Sequence, residues 1–487
     1  MPDDRDIDLI SHLMRRAGFG ATHNELVELA ALGYEKTVAE LLKIDTGPGI
    51  DEALLFRYLP RTEAISMAQH AQTNWLYRMA NSKNPLQEKM ALFWHHIFAT
   101  GIDKVAEPNA MDRQILMFRE HGMGNFRNLL VHLAQDPGMI FWLDNQDHHK
   151  RAPNENWGRE LLELFSLGVG QYTEKDVYEC ARAFTGWTYR GKRRGIQFAG
   201  LNWEFEYRAE DHDEEQKTFL GHTGNFNGQD IIDIVVKQPA CARFIMRHLY
   251  SFFVEDEPEV PKWPHEPPRN SEAIETLTQV FVESGLEIRP VLNTLFKSTW
   301  FILSLYVKVN NPVEVVISTL KLTEALADPS PTWDAVASEP GKMGQDVLNP
   351  PSVEGWHTGG EWISSGALIN RVNFVADHLK ETTNPGIKAM IKRIGTNCNG
   401  DSATKFVDYC LKEMRVGPIE EETYRQLVSH ATSAGPVTYD DNGQTEVFAH
   451  RVGEILALIA GTKDCLLYTS DAADDTPCVD LGGRRII

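Results

Sequence analysis

Hydrophobic positions along this 487-residue chain recur mostly at helical spacing. Ile7, Ile10, Leu13, Met14 and Ala17 share one face and stop at Gly18. Thr22 with Glu25 reads as a capping box for a helix carrying Leu26, Leu29 and Ala30, closed by Gly33. Asn84-Pro85 opens another, a cap residue followed by proline at the first helical position, and Leu86, Met90, Phe93, Trp94, Ile97 and Phe98 run through it. Phe126, Leu129, Leu130 and Leu133 mark a helix stopped by Asp136-Pro137, and Thr173 with Asp176 caps one presenting Val177, Cys180, Ala181 and Phe184. Helical patterning resumes over 230–253 and returns over 272–284, 288–298 and 312–327. Ile196, Gln197 and Phe198, then Trp203 to Tyr207, alternate with period two around Gly200, which predicts a β-hairpin over 196–207.

The predicted class is mainly α: a large multi-helix domain with a small inserted hairpin and long ordered loops. An N-terminal helical part takes residues 1–254. An acidic, proline-rich linker or lid follows at 255–270, and a C-terminal helical part over 271–462 packs on the first. Residues 341–366, rich in Gly, Pro and Trp, read as a long ordered loop. From 463 the pattern dissolves: Cys465-Leu466-Leu467-Tyr468-Thr469-Ser470 through Arg485-Ile486-Ile487 resembles translated sequencing-adapter sequence of the kind seen at the ends of metagenomic gene models, and it shows no periodicity of its own.

Hydrophobic content of 42% with 11 tryptophans permits sizeable cores and argues against wholesale disorder. A net charge of −21 argues against sequence-independent nucleic-acid binding and against electrostatic attachment to anionic lipid. The apolar runs are too short for a transmembrane segment, and the acidic start Met1-Pro2-Asp3-Asp4 shows no secretory signal, so a soluble cytoplasmic protein is expected. Six scattered cysteines form no Cys-x-x-Cys pair, so neither a zinc knuckle nor a disulfide framework is expected. There is no phosphate-binding loop, no dinucleotide fingerprint and no Gly-x-Ser-x-Gly elbow.

The densest polar chemistry lies in one predicted helix, residues 154–164. Glu155, Arg159 and Glu163 stack at i, i+4 spacing, opposite the apolar stripe of Trp157, Leu161, Leu164 and Phe165. Glu160 falls at the seam between the faces, where carboxylates acquire shifted pKa values or ligate metals. The same spacing also describes a plain amphipathic helix with a Glu–Arg–Glu ladder. His95 and His96 sit on a helix apolar nearly all round, pointing about 100° apart, so they do not share one metal. Either is a buried structural histidine or a metal or acid–base group. Asp144 to His149 and Asp211-His212-Asp213 add imidazoles with carboxylates in predicted loops. Trp356 and Trp362 mark a loop that either binds a partner or pins itself onto the core.

Taken in order, several segments resemble the bacterial Domain of Unknown Function 1800 family over about residues 7–460. They are His12-Leu13-Met14-Arg15-Arg16-Ala17-Gly18-Phe19-Gly20, Lys89 to His95, Pro153 to Asn156 with Arg159-Glu160-Leu161 and Glu163-Leu164, and Tyr172-Thr173-Glu174. Ala181 to Trp187, His212-Asp213, Lys217 to Gly221, Asn311 to Glu314 and Pro350-Pro351 to Trp356 continue the series. The resemblance implies no agreed activity. It does imply secretion for many members and neighbourhood with a sulfatase-like exported family, hence a protein partner of that kind. The family tends to show Trp-His-x-His-Phe where this chain has Trp94-His95-His96-Ile97-Phe98, so the second histidine is rotated about 100° around the helix.

These readings lead to an expected metal-assisted, hydrolytic enzyme. Glu160, Glu155, Arg159 and Asp213 would be catalytic, and His95, Glu163 and His212 would hold a divalent metal, the cofactor that such a set would take. The rival expectation is a noncatalytic assembly protein that recognises a polymer or partner through Trp356 and Trp362.

Overall fold

In the computed structural model the described residues are 2–43, 50–58, 68–191, 203–398, 402–433, 435, 439 and 445–462. The adapter-like tail and the predicted first hairpin strand at 196–198 lie outside them. The described chain is mainly helical, with two small antiparallel two-stranded sheets.

The local signals read from the sequence build most of these elements. Asp4–Ala17 ends at Gly18, and His23–Leu32 begins with both capping-box hydrogen bonds between Thr22 and Glu25. Glu174–Phe184 starts the same way from Thr173 and Asp176. Pro85–Ile97 carries its proline at the first position, but the Asn84 side chain makes no capping bond to it.

Two elements differ from the periodicity for identifiable reasons. The single helix predicted over 230–253 is two, Gly228–Val235 and Pro239–Phe253, because Pro239 lacks an N–H and starts a new helix. The helix through Phe126 ends at Ala134, just before Asp136-Pro137 as predicted, but a further helix, Pro137–Trp142, follows at once, because the Asp136 carboxylate accepts from Met139 N and caps it.

The β excursion pairs Trp187–Arg190 with Glu204–Tyr207, Trp187 opposite Tyr207 and Arg190 opposite Glu204. A second hairpin, Lys217–Phe219 with His222–Gly224, was not expected: three-residue strands are too short for alternation to register.

One contiguous apolar core runs from Leu13 to Ala460, and a small satellite under the first two helices contains Ile7, Ile10, Met14, Leu26 and Ala30. The 255–270 segment is tied to the helix before it, since Arg247 pairs with buried Glu257 and donates to the Glu266 carbonyl at 3.0 Å. Deep in the core Lys89 forms an ion pair with Glu314, both shielded from water. No helix among the described residues is long and apolar enough to cross a membrane.

Candidate functional site

The helix Asn156–Glu163 is short, with Trp157, Leu161 and Leu162 buried beneath it. Trp157 packs against the Phe165 and Phe184 rings, which fixes which side of the helix faces outward. Gly158 lies where a Cβ would come within 3.0 Å of the Val177 carbonyl oxygen, so this helix and Glu174–Phe184 pack at backbone contact.

That close packing places the polar face. Arg159 forms a two-pronged bond to Glu174 (2.9 and 2.7 Å), with Glu155 further away at 3.5 Å. The predicted ladder is thus half present: its arginine is committed mainly to the neighbouring helix. Glu163 accepts instead from the Tyr172 hydroxyl at 2.7 Å, a bond that holds it beside Glu160.

Glu160 is the unusual member. Partial burial pushes its carboxyl up from 4.5 to about 7, and Glu163 and Glu354 push the same way against the opposing charge of Arg159. Glu354 arrives from the Trp-rich loop, far away in the chain, and gives this face a third carboxylate. The loop is held by a tight turn in which Ser352 and Gly355 bridge. Gly355 has φ +90°, and a Cβ there would lie 2.3 Å from the His96 carbonyl oxygen. The Trp356 amide then donates to His96 Nδ1 at 3.3 Å, and the two rings stack. Only glycine can make that approach. Gly355→Ala should therefore destabilise the protein by about 1–2 kcal/mol from the backbone conformation alone. It should also lower the Glu160 pKa as Glu354 moves off. Denaturant unfolding and carboxyl titration of the variant check both.

The Glu160 shift also has a sign in stability. Its folded pKa lies above the unfolded value of 4.5, so between 4.5 and about 7 the folded state keeps a proton that the unfolded chain has lost. The contribution of this group is fully present below the unfolded pKa and is lost as pH rises through about 7. Glu160→Gln should flatten that slope, gaining stability relative to wild type as pH increases across this window, as urea midpoints at successive pH values would reveal.

The other expected site residues lie elsewhere. His95 is fully buried between the Trp75 and Trp356 rings, and burial holds it uncharged with a pKa of about 3. Gln114 lies close enough to influence that titration, yet neither ring nitrogen meets hydrogen-bond geometry. His212 is buried with its Nδ1 against the Thr185 carbonyl at 2.9 Å. Burial alone would raise the Asp213 pKa, but two hydrogen bonds from Arg182 and the nearby Lys217 hold it low. His148 Nε2 meets the Ala181 carbonyl while its Nδ1 accepts from the Asn154 amide, which orients the chain entering the helix. His149 pairs with Asp211 at the surface.

Among the described residues no group of three or more His, Cys, Asp or Glu side chains is placed to hold a metal ion, so His95, Glu163 and His212 do not come together. Trp356 and Trp362 are only 4% and 5% exposed, so neither indole face is open to a partner in this conformation. What the sequence missed was Glu354. Its signal was the turn-forming Ser352-Val353-Glu354-Gly355 itself, which aims one side chain at another element.

Comparison with curated proteins and with solved structures returned no match. A family model described as a protein of unknown function, DUF1800, matches residues 12–464. The ordered motifs and the sequence match together place this chain in the DUF1800 family.

Proposed function

We propose that the protein is a hydrolytic enzyme in which Glu160 transfers the proton and the neighbouring carboxylates of Glu163 and Glu354 supply the opposing base or nucleophile. What supports this reading is the half-buried Glu160 carboxyl, pushed up to about 7 by burial with Glu163 and Glu354 acting the same way, on a face that remains accessible. A general acid–base is most effective when its pKa lies near the working pH. One raised carboxylic acid beside a second carboxylate is the arrangement used to cleave glycosidic bonds. Substrate charge follows from the surroundings: with Arg159 committed to Glu174, the Glu163 and Glu354 charges beside Glu160 disfavour phosphate and sulfate esters and favour a neutral glycan. Proton transfer by this face requires no metal, and the scattered histidines are not needed for it.

The experiment is hydrolysis of a panel of neutral aryl glycosides, with aryl esters, phosphates and sulfates for comparison, across pH 5–9. The reading expects glycoside turnover that inflects near pH 7. No turnover of any glycoside, or a rate indifferent to pH through that range, would overturn it.

A further inference from the structure

An open groove of about 630 Å³ runs between residues 167–171 and the proline-rich 255–270 stretch. Its first wall is tied to the Glu160 site at both ends. Residues 164–171 leave the helix at Glu163 and return at Tyr172, whose hydroxyl bonds Glu163 at 2.7 Å. Gln171, in that wall, is one residue and about 3.8 Å of backbone from Tyr172. The Leu167 and Gly168 amides both donate to the Leu162 carbonyl, at 3.0 and 3.1 Å. Gly168, at φ +83°, lies on the Phe244 ring, where a Cβ would come within 3.0 Å. The facing wall is stiff. Trp263, Pro264 and Pro268 line it, and Arg247 holds the stretch through Glu257 and the Glu266 carbonyl.

The lining discriminates between occupants. Its charges are already paired: Arg243 bonds Glu275 at 2.8 Å, and Arg247 is taken by Glu257. A charged ligand would have to break one of these pairs. Pro239, Pro264 and Pro268 carry no backbone N–H, so the walls offer an extended peptide few donors. What remains is an apolar floor, with Ile274 and Phe244, bordered by exposed Gln171 and Ser271. Gln238 donates its amide to the Ile234 carbonyl at 3.1 Å, which leaves its side-chain oxygen to accept. Apolar CH faces edged with hydroxyls are what a sugar ring presents to such a surface. The volume falls in the range of about 300–1,000 Å³ usual for ligand sites.

We propose that this groove binds the sugar units adjoining the bond that Glu160 cleaves, an assignment that rests on Glu160 as the proton donor. The substrate is then a neutral oligosaccharide or polysaccharide chain rather than a small glycoside. Its ring faces lie on Val169, Pro264 and Pro268, and its hydroxyls meet Gln171, Gln238 and Ser271. Binding energy gained on these remote units holds the scissile bond at the acid.

The test uses the full chain carrying Glu160→Gln, which separates binding from turnover. Hexamers and dimers of β-1,4-linked glucose, xylose and N-acetylglucosamine are titrated by calorimetry and by tryptophan fluorescence, with Trp263 the reporter in the groove. Hexagalacturonate and decaproline stand for an acidic glycan and a peptide. At least one neutral hexamer should bind, about tenfold or more tighter than its dimer. Val169→Arg sends a long charged side chain into the groove from an exposed position and should cost that hexamer about tenfold. Should that variant misfold, Ser271→Arg carries the same expectation from the opposite side. Equal binding of hexamer and dimer, no hexamer binding, preference for hexagalacturonate or decaproline, or unchanged affinity in the folded variant would overturn the proposal. The two readings fail separately. A hexamer bound, and lost in Val169→Arg, with no hydrolysis by the wild type would defeat only the acid–base role of Glu160. Aryl glycoside turnover without preference for the hexamer would defeat only the groove.

Discussion

Replacing Lys89 with methionine should destabilise the protein by about 3–5 kcal/mol, the cost of leaving a buried charge without its partner. Lys89 is wholly inaccessible. It bonds Glu314 and the Gly18 carbonyl at 2.9 Å, and its ammonium lies 4.7 Å from the centre of the Phe19 ring. Burial pulls its pKa down to about 8 even though Glu314 opposes that pull. For Glu314 the attraction of Lys89, joined by that of Arg16 and Lys308, wins over burial and holds the carboxyl below its ordinary value.

Glu314 serves a second purpose in the same place. Its carboxylate accepts from the Asn311 amide at 2.8 Å and closes the capping box that starts Pro312–Thr323. The ion pair thus joins the Pro85–Ile97 helix to the start of a helix in the other half of the chain, beneath the Gly18 turn. Methionine fills the lysine volume, so the loss is electrostatic rather than steric. Adding Glu314→Leu should recover part of the lost stability, because a matched apolar pair removes the orphaned charge. Urea unfolding of the single and double variants measures both effects. A loss under about 1 kcal/mol for Lys89→Met would show that the pair is hydrated rather than buried.

Glu160→Gln should lower hydrolytic turnover by about 10²- to 10⁴-fold, the usual contribution of a positioned general acid–base. Glutamine keeps the shape and can hydrogen-bond, but it cannot pass on a proton. The loss should fall on kcat with little change in KM, since the missing interaction is made only as the bond breaks. The residual rate should also lose its inflection near pH 7. Glu174→Gln serves as the control. It removes the main partner of Arg159 without touching the proton donor, so it should change turnover far less. Equal losses in the two variants would mean that the face acts only as a structural unit.

Much of the scaffold was legible in the sequence because its signals are local. Thr22 with Glu25 and Thr173 with Asp176 cap helices within a four-residue window, and Gly18 ends the first helix by itself. Glu160 was legible as a seam residue for the same reason: helical phase alone separates it from Trp157 and Leu161. Its partner Glu354 was not, because only the packing of the Gly355 turn on His96 brings that loop to the helix. Arg159 looked like part of a ladder on its own helix, and it turned outward to Glu174, since a two-pronged bond to a carboxylate outweighs an exposed i, i+4 pair. The paired histidines drew chemical attention, yet His95 belongs to an aromatic cage in the core.

What decides the role of this face is whether the fold keeps the Glu160 carboxylic acid in its proton-bearing form near neutrality. The direct measurement is the ¹³C titration of the glutamate side-chain carboxyls, with the Glu160 signal assigned by its loss in Glu160→Gln. A midpoint of about 7 is expected for that signal. A midpoint close to 4.5, the value of an unperturbed glutamate, would contradict it.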